Sequence, residues 1–222
     1  MENLITKTTG LALHLIQPYI ENTAGGDQLV IDATCGNGHD TLALAEMMFS
    51  GSGGAGRLIA VDIQPQAIDA TRALLESAGF GARIEDGSIQ LICTSHEDMQ
   101  KLLQQDGETV LQEGGETALH GGCYPLKASV ILFNLGYLPG GDKTLTTKKD
   151  VTIRAVQSAL DILKPGGIVS IIMYSGHTAG ADEKDALLEH AATLDSGQFH
   201  TAYVSMPNQH HAPPEILLIT RK

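Results

Sequence analysis

What most limits the fold of this chain is an alternation: seven apolar, strand-like runs, most of them separated by stretches of helical periodicity. The runs are QLVID (28–32), LIAVD (58–62), IQLICT (89–94), ASVILFN (128–134), GIVSIIMY (167–174), FHTAYVSM (199–206) and EILLIT (215–220). Strands that are apolar along nearly their whole length are buried on both faces, which requires helices above and below a mostly parallel sheet. The segments between them supply those helices. DTLALAEMMF follows the first run, and PQAIDATRALLESAG follows the second, with Pro65 suited to a first helical turn and Gly79 to a C-terminal cap. HEDMQKLLQQ follows the third. Thr147 and Asp150 read as a capping box that opens KKDVTIRAVQSALDILK, which PGG ends. DEKDALLEHAATL carries Leu187, Leu188, Ala191 and Leu194 at helical spacing, and Leu11, Leu13, Leu15 and Ile16 mark an opening helix packed on the sheet. Only PNQHHAPP separates the last two runs, which predicts an antiparallel hairpin at one edge. The predicted class is α/β, a doubly wound, seven-stranded, mostly parallel sheet in one domain of 222 residues. Residues 105–127, QDGETVLQEGGETALHGGCYPLK, fit no element and read as a surface insertion.

Charge and cysteine usage narrow the function classes. A formal charge of −12 opposes indiscriminate binding to nucleic acid, which needs clustered Lys and Arg. Local patches escape that sum, however: four of the 14 basic residues, Lys143, Lys148, Lys149 and Arg154, fall between positions 143 and 154. Cys35, Cys93 and Cys123 are odd in number, with no CxxC pair to suggest zinc, so no metal site is expected. They read as free thiols of a reducing cytoplasm. No run approaches the roughly 18 apolar residues of a membrane span, and the N-terminus lacks a basic segment followed by a long apolar core. A soluble, cytoplasmic protein is expected.

The first run ends in VIDATCGNGHDT, a strand end, a glycine turn and a helix start. Glycines permit a tight turn and close approach of a ligand, and the helix terminus offers unpaired N–H groups. Against the dinucleotide fingerprint G-x-G-x-x-G, Gly36 and Gly38 match but Thr41 holds the third position, which weakens an NAD-dependent oxidoreductase reading. Asp62 closes the second run, where a carboxylate can accept from both ribose hydroxyls. This arrangement resembles the class I S-adenosylmethionine (SAM) methyltransferases, which are Rossmann-like. The resemblance implies that SAM lies on Asp32, Gly36, Asn37, Gly38, His39, Asp40 and Thr41. It extends the cradle to Asp62, Ile63 and Gln64, to Ser95 and His96 near the adenine, and to Asn134. The turn alone also fits an unrelated ligand or none; Ser95 also fits a helix cap with Asp98, and His96 a surface residue.

The fourth run stops at Asn134 and leads into LGYLPGGDKTLTT. In open α/β sheets, ligands meet their reaction partners at this end of the strands. Many base- and amine-methylating enzymes carry Asn/Asp-Pro-Pro-Tyr here; Asn134-Leu135-Gly136-Tyr137 keeps the first and last elements and lacks both prolines. Together, DATCGNGHDTLALA, FNLGYLPGGDK, YSGH and EKDALLE resemble the family once labelled rRNA methylase and now associated with tRNA 5-aminomethyl-2-thiouridine methyltransferase, the YtqB/MnmM type. The likeness runs from about Gly10 to the C-terminus; the 105–127 segment is longer than the family pattern.

That resemblance implies SAM-dependent methylation of a primary amine on a modified wobble uridine, with the tRNA anticodon loop as partner, and it leaves room for a homodimer. An alkylammonium has a pKa of about 10 in water, so the site must deprotonate or desolvate it. Asn134, Tyr137, Asp142 and His177 are the catalytic candidates: Asp142 to attract and orient the ammonium, His177 to accept a proton. Tyr137 and Tyr174 would stack on the base, and Lys143, Lys148 and Lys149 would meet RNA phosphate. Each has a plainer alternative: Asp142 as a turn cap, His177 as a hydrogen-bonded structural residue, the lysines as a solvated face. An rRNA base, or a small-molecule amine, is the alternative substrate.

Overall fold

The protein is described by a computed structural model covering residues 7–21, 28–50, 56–99, 127–136, 149–210 and 212–222. In chain order the elements are α1 (Thr8–Glu21), β1 (Leu29–Asp32), α2 (His39–Phe49), β2 (Arg57–Asp62), α3 (Pro65–Ser77), α4 (Gly81–Glu85) and β3 (Ile89–Cys93). A single 3-10 turn, His96–Asp98, follows; then β4 (Ala128–Asn134), α5 (Lys149–Ile162), β5 (Leu163–Met173), α6 (Thr178–Thr193), β6 (Phe199–Val204) and β7 (Glu215–Arg221). The seven strands form one sheet in the order β3-β2-β1-β4-β5-β7-β6. All pairs are parallel except those made by β7, which runs antiparallel to both β5 and β6. The expected terminal hairpin is present, with its second strand inserted between β5 and β6.

Alternate side chains of each central strand enter different cores, as the period of two dictates. Ile31, Ile59, Ile131 and Phe133 pack with Ala155, Val156 and Ala159 of α5 and Leu187 of α6. On the opposite face Val30, Leu58, Val130 and Leu132 meet Ala12 and Ile16 of α1 and Leu44 and Met48 of α2. Each large side chain buried this way contributes about 1.5–3 kcal/mol, so the sheet's end is a stiff base for a site. Between α5 and α6 the Thr152 hydroxyl donates to buried Glu183 at 2.5 Å.

Three local expectations change. PGG does follow the end of α5, but it lies inside β5, which begins at Leu163 and shifts register between Ala128 and Val130. A Cβ on Gly167 would stand 2.9 Å from the Lys164 carbonyl oxygen and 3.0 Å from that of Ser129, so only glycine lets the strands close there. The helix expected from His96 starts as a 3-10 turn, its continuation lying outside the described residues. The short α4 has no apolar periodicity to announce it; its Arg83 rests over the Phe49 ring, 4.9 Å from the centroid. The 105–127 segment, apart from Lys127, also lies outside the described residues. Among the described residues, no helix is long and apolar enough to cross a membrane.

Candidate functional site

At the C-terminal end of β1 the chain makes the predicted turn. Asp32 is fully buried; its Oδ2 accepts from the Thr41 hydroxyl at 2.6 Å and its Oδ1 from the Thr34 N–H at 3.2 Å. It thus fixes the turn from beneath, tying its two ends together. Gly36 and Gly38 have φ of 52° and 84°, and a Cβ on Gly38 would stand 2.8 Å from the Thr71 Cα, so α3 packs directly on this glycine. The Gly36 N–H donates to Asp62 Oδ2 at 3.0 Å, the Gln64 N–H donates to Asp62 Oδ1 at 2.9 Å, and the Thr71 hydroxyl donates to the Gly36 carbonyl at 3.2 Å. Two acceptor positions of the Asp62 carboxylate remain, enough for a ribose diol.

The turn is electrostatically one-sided. Burial, with the neighbouring Asp40 charge behind it, pushes Asp32 up to about 7. Asp40 is raised as well, chiefly by burial, with the Asn134 hydrogen bond and His39 acting against this. Three carboxylates, Asp32, Asp40 and Asp62, therefore surround one glycine turn, with Asn37 half-buried and His39 exposed beside it. A diphosphate would be repelled here, whereas a ligand bearing an ammonium and a sulfonium relieves the crowding. The donor set fits SAM and disfavours a dinucleotide.

Beyond Asp62, Ile63 is 64% exposed, an apolar side chain left in the open beside the turn. Ser95 caps the 3-10 turn, its Oγ accepting from the Glu97 N–H at 3.4 Å. His96 is half-buried. Its ring meets Phe133 edge-on, with centroids 6.1 Å apart, and its buried Nε2 has no partner among the described residues. Burial lowers its pKa, opposed by Glu97 and Asp62.

The reaction end is built on β4. The ladder continues past Asn134, since the Leu135 N–H donates to the Ile172 carbonyl at 2.9 Å and Leu135 is buried. Asn134 donates its backbone N–H to Thr34 Oγ1 at 2.7 Å and its Nδ2 to Asp40 Oδ2 at 2.7 Å. Tyr174 stands beside it; burial and the Asp40 charge raise the Tyr174 pKa, and the Asn134 side chain acts against them. Gly136, at φ 151°, passes under Tyr174, its Cβ position 3.6 Å from the ring. Because Asp40 can only accept, the amide nitrogen faces it and the amide orientation is fixed. Asp40, expected from the sequence in the SAM cradle, bonds to Asn134 across 94 positions, a contact with no local signature.

His177 caps α6, its Nδ1 accepting from the Gly180 N–H at 3.0 Å. The neutral ring consequently carries its proton on Nε2 and presents a donor; accepting a proton would require breaking the cap. That sits against the base expected from the sequence. Lys149 is exposed at the start of α5, and Arg154 is engaged by Glu97 at 2.9 Å. Tyr137, Asp142, Lys143 and Lys148 lie outside the described residues.

Comparison with known proteins agrees with this geometry. The family described as "Putative rRNA methylase" matches residues 58–220. A "tRNA (mnm(5)s(2)U34)-methyltransferase, chloroplastic" of Arabidopsis thaliana is 34% identical over 194 residues, 87% of this chain and 63% of that protein. This chain therefore spans less than two thirds of that relative's length. The crystal structure of a "putative rRNA-methylase" from Clostridium thermocellum superposes with a TM-score of 0.77 at 30% identity, covering 98% of this chain and 99% of that one. A methyltransferase structure from Streptococcus mutans in complex with SAH gives a TM-score of 0.69 at 27% identity, covering 95% and 98%.

Proposed function

Because the chain belongs to the family described as "Putative rRNA methylase", we propose that it is a SAM-dependent methyltransferase acting on RNA, and that its acceptor is the primary amine of 5-aminomethyl-2-thiouridine at the tRNA wobble position. The observation that carries the reading is Asn134 at the end of β4, its Nδ2 held by Asp40 at 2.7 Å, beside a glycine turn ringed by three carboxylates. The substrate is taken from the Arabidopsis thaliana relative, whose name specifies mnm5s2U34 of tRNA.

Bound SAM would supply an electrophilic methyl group to the amine lone pair, with S-adenosylhomocysteine as the leaving product and a secondary ammonium as the methylated one. The protein's contribution is placement. Asp62 would hold the ribose, and Gly36, Gly38 and Asn37 the amino acid part, with Asp32 and Thr41 keeping the turn in shape. Ile63, Gln64, Ser95 and His96 would border the adenine. Asn134 Oδ1 would accept from an amine N–H, aligning the lone pair with the methyl carbon, the kind of positioning that accounts for most of such a rate. Asp142 would draw in the ammonium and take its proton, Tyr137 and Tyr174 would flank the base, and His177 would donate through Nε2. Lys143, Lys148 and Lys149 would contact phosphate of the anticodon loop. Free thiols at Cys35 and Cys93 suit a reducing cytoplasm.

The family description favours a second reading, methylation of an rRNA base. One experiment separates them: incubate the protein and SAM with bulk RNA from cells lacking the final wobble-uridine methylation, then compare nucleosides by mass spectrometry. A gain of one methyl on 5-aminomethyl-2-thiouridine in the tRNA fraction is expected. A methylated base in the rRNA fraction alone would transfer the activity to the second reading.

A further inference from the structure

The connection between β6 and β7 has no role in the site described above, yet the sheet puts it there. Asn134 pairs in register with Ile172, and Ile172 with Ile216, so β7 stands two strands, about 10 Å, from the acceptor position. Met173 pairs with Glu215, and Tyr174, the next residue, reaches back to Asn134. Because β7 runs antiparallel to β5, the 205–214 connection emerges at the same end of the sheet as Asn134. It is tied down there: the Thr8 hydroxyl donates to the Pro214 carbonyl at 3.0 Å and the Gln209 N–H to the Met206 carbonyl at 3.0 Å. Asn208, Gln209 and His210 are exposed on it.

Two further observations point to an RNA strand. The cofactor residues lie at the ends of β1, β2 and β3, so a polymer whose reacting nucleoside sits at β4 has β5, β7 and β6 beneath its neighbouring nucleotides. Those strands present an unusually acid-free edge for a chain with 26 Asp and Glu: neither residue occurs from Leu163 to Ala181 or from Phe199 to Pro214. Glu215, the first carboxylate after the connection, is paired with Lys184 at 3.0 Å and accepts from the Tyr203 hydroxyl. Repulsion of phosphate is thus lowered along these strands, the nearest remaining acid being Asp185 of α6, whose charge reaches Tyr203.

We propose that the β6–β7 connection is the surface on which unpaired RNA beside the acceptor nucleoside rests, with Asn208, Gln209 and His210 as its hydrogen-bonding contacts. Amide and imidazole groups suit base edges and 2′-hydroxyls of unstacked RNA. The inference rests on the RNA reading above and adds the element that would set specificity for the strand around the target.

The test is steady-state methylation of tRNA by wild type and by N208A/Q209A/H210A. The variant should raise KM for tRNA about tenfold (about 1.4 kcal/mol), keep kcat within about twofold and leave SAM affinity unchanged. Gln209→Ala and His210→Ala alone should each raise KM by a smaller factor, and they stand in if the triple variant fails to fold. Wild-type KM in these variants, with tRNA methylated normally, overturns the inference alone. Wild-type enzyme that methylates no tRNA overturns the tRNA reading and this inference with it.

Discussion

The two halves of the catalytic edge are built differently. Around β1 and β2 the turn is closed by hydrogen bonds from backbone to carboxylate: Gly36 and Gln64 to Asp62, and Thr34 to Asp32, with the Thr41 hydroxyl added. Around β4 and β5 the arrangement depends on side chains from three elements, Asp40, Asn134 and Tyr174. In the first half most donors are main-chain N–H groups, whose positions do not depend on residue type, and they converge on two carboxylates, Asp32 and Asp62. In the second half the partners are side chains, so the proposed acceptor site would fail when one member is lost.

The sharpest way to break that contrast is Asn134→Ala. It should cut kcat/KM by at least about 100-fold, close to 2.7 kcal/mol of transition-state stabilisation, while SAM affinity by calorimetry stays within about threefold. Equal losses in both measurements would mean that the halves are not separable. Asp62→Ala should weaken SAM binding by at least about tenfold, and unchanged affinity would remove Asp62 from the cradle.

A smaller effect is expected from pH. Folded Asp32 keeps its proton up to about pH 7, whereas the unfolded chain releases it near 3.8. Between those values the folded state binds more protons, so this group's contribution to stability falls as pH rises through the window and is level above it. Comparing Tm of ligand-free wild type and Asp32→Asn from pH 4 to 8 should show the wild type losing ground by several degrees, at about 2–4 °C per kcal/mol. Parallel curves would place the Asp32 proton elsewhere. The smallest effect belongs to Arg154→Ala, which removes an exposed pair with Glu97 and should change stability by under about 1 kcal/mol in chemical denaturation.

The residues differ in how openly their roles were written in the sequence. The glycine turn and Asp62 are local signals, because a strand end, two glycines and a helix start are contiguous and their backbone demands follow from residue type. Ser95 as a cap is equally local. His177 shows the limit of such reading: its position at a strand end suggested a base, and only the 3.0 Å approach of the Gly180 N–H revealed which nitrogen is occupied. His96 read equally well as a surface residue until Phe133 was found against it.

By itself, then, the sequence determined the α/β class, nearly all the strands, the terminal hairpin and the acid-flanked turn, since these follow from periodicity and from glycine's backbone freedom. The tertiary structure decided that β7 lies between β5 and β6, that Asp40 grips Asn134, and that the β6–β7 connection leaves the sheet at the same end as Asn134. Those facts join residues tens of positions apart, and the packing of both faces of the sheet, which no short window of sequence contains, is what brings them together.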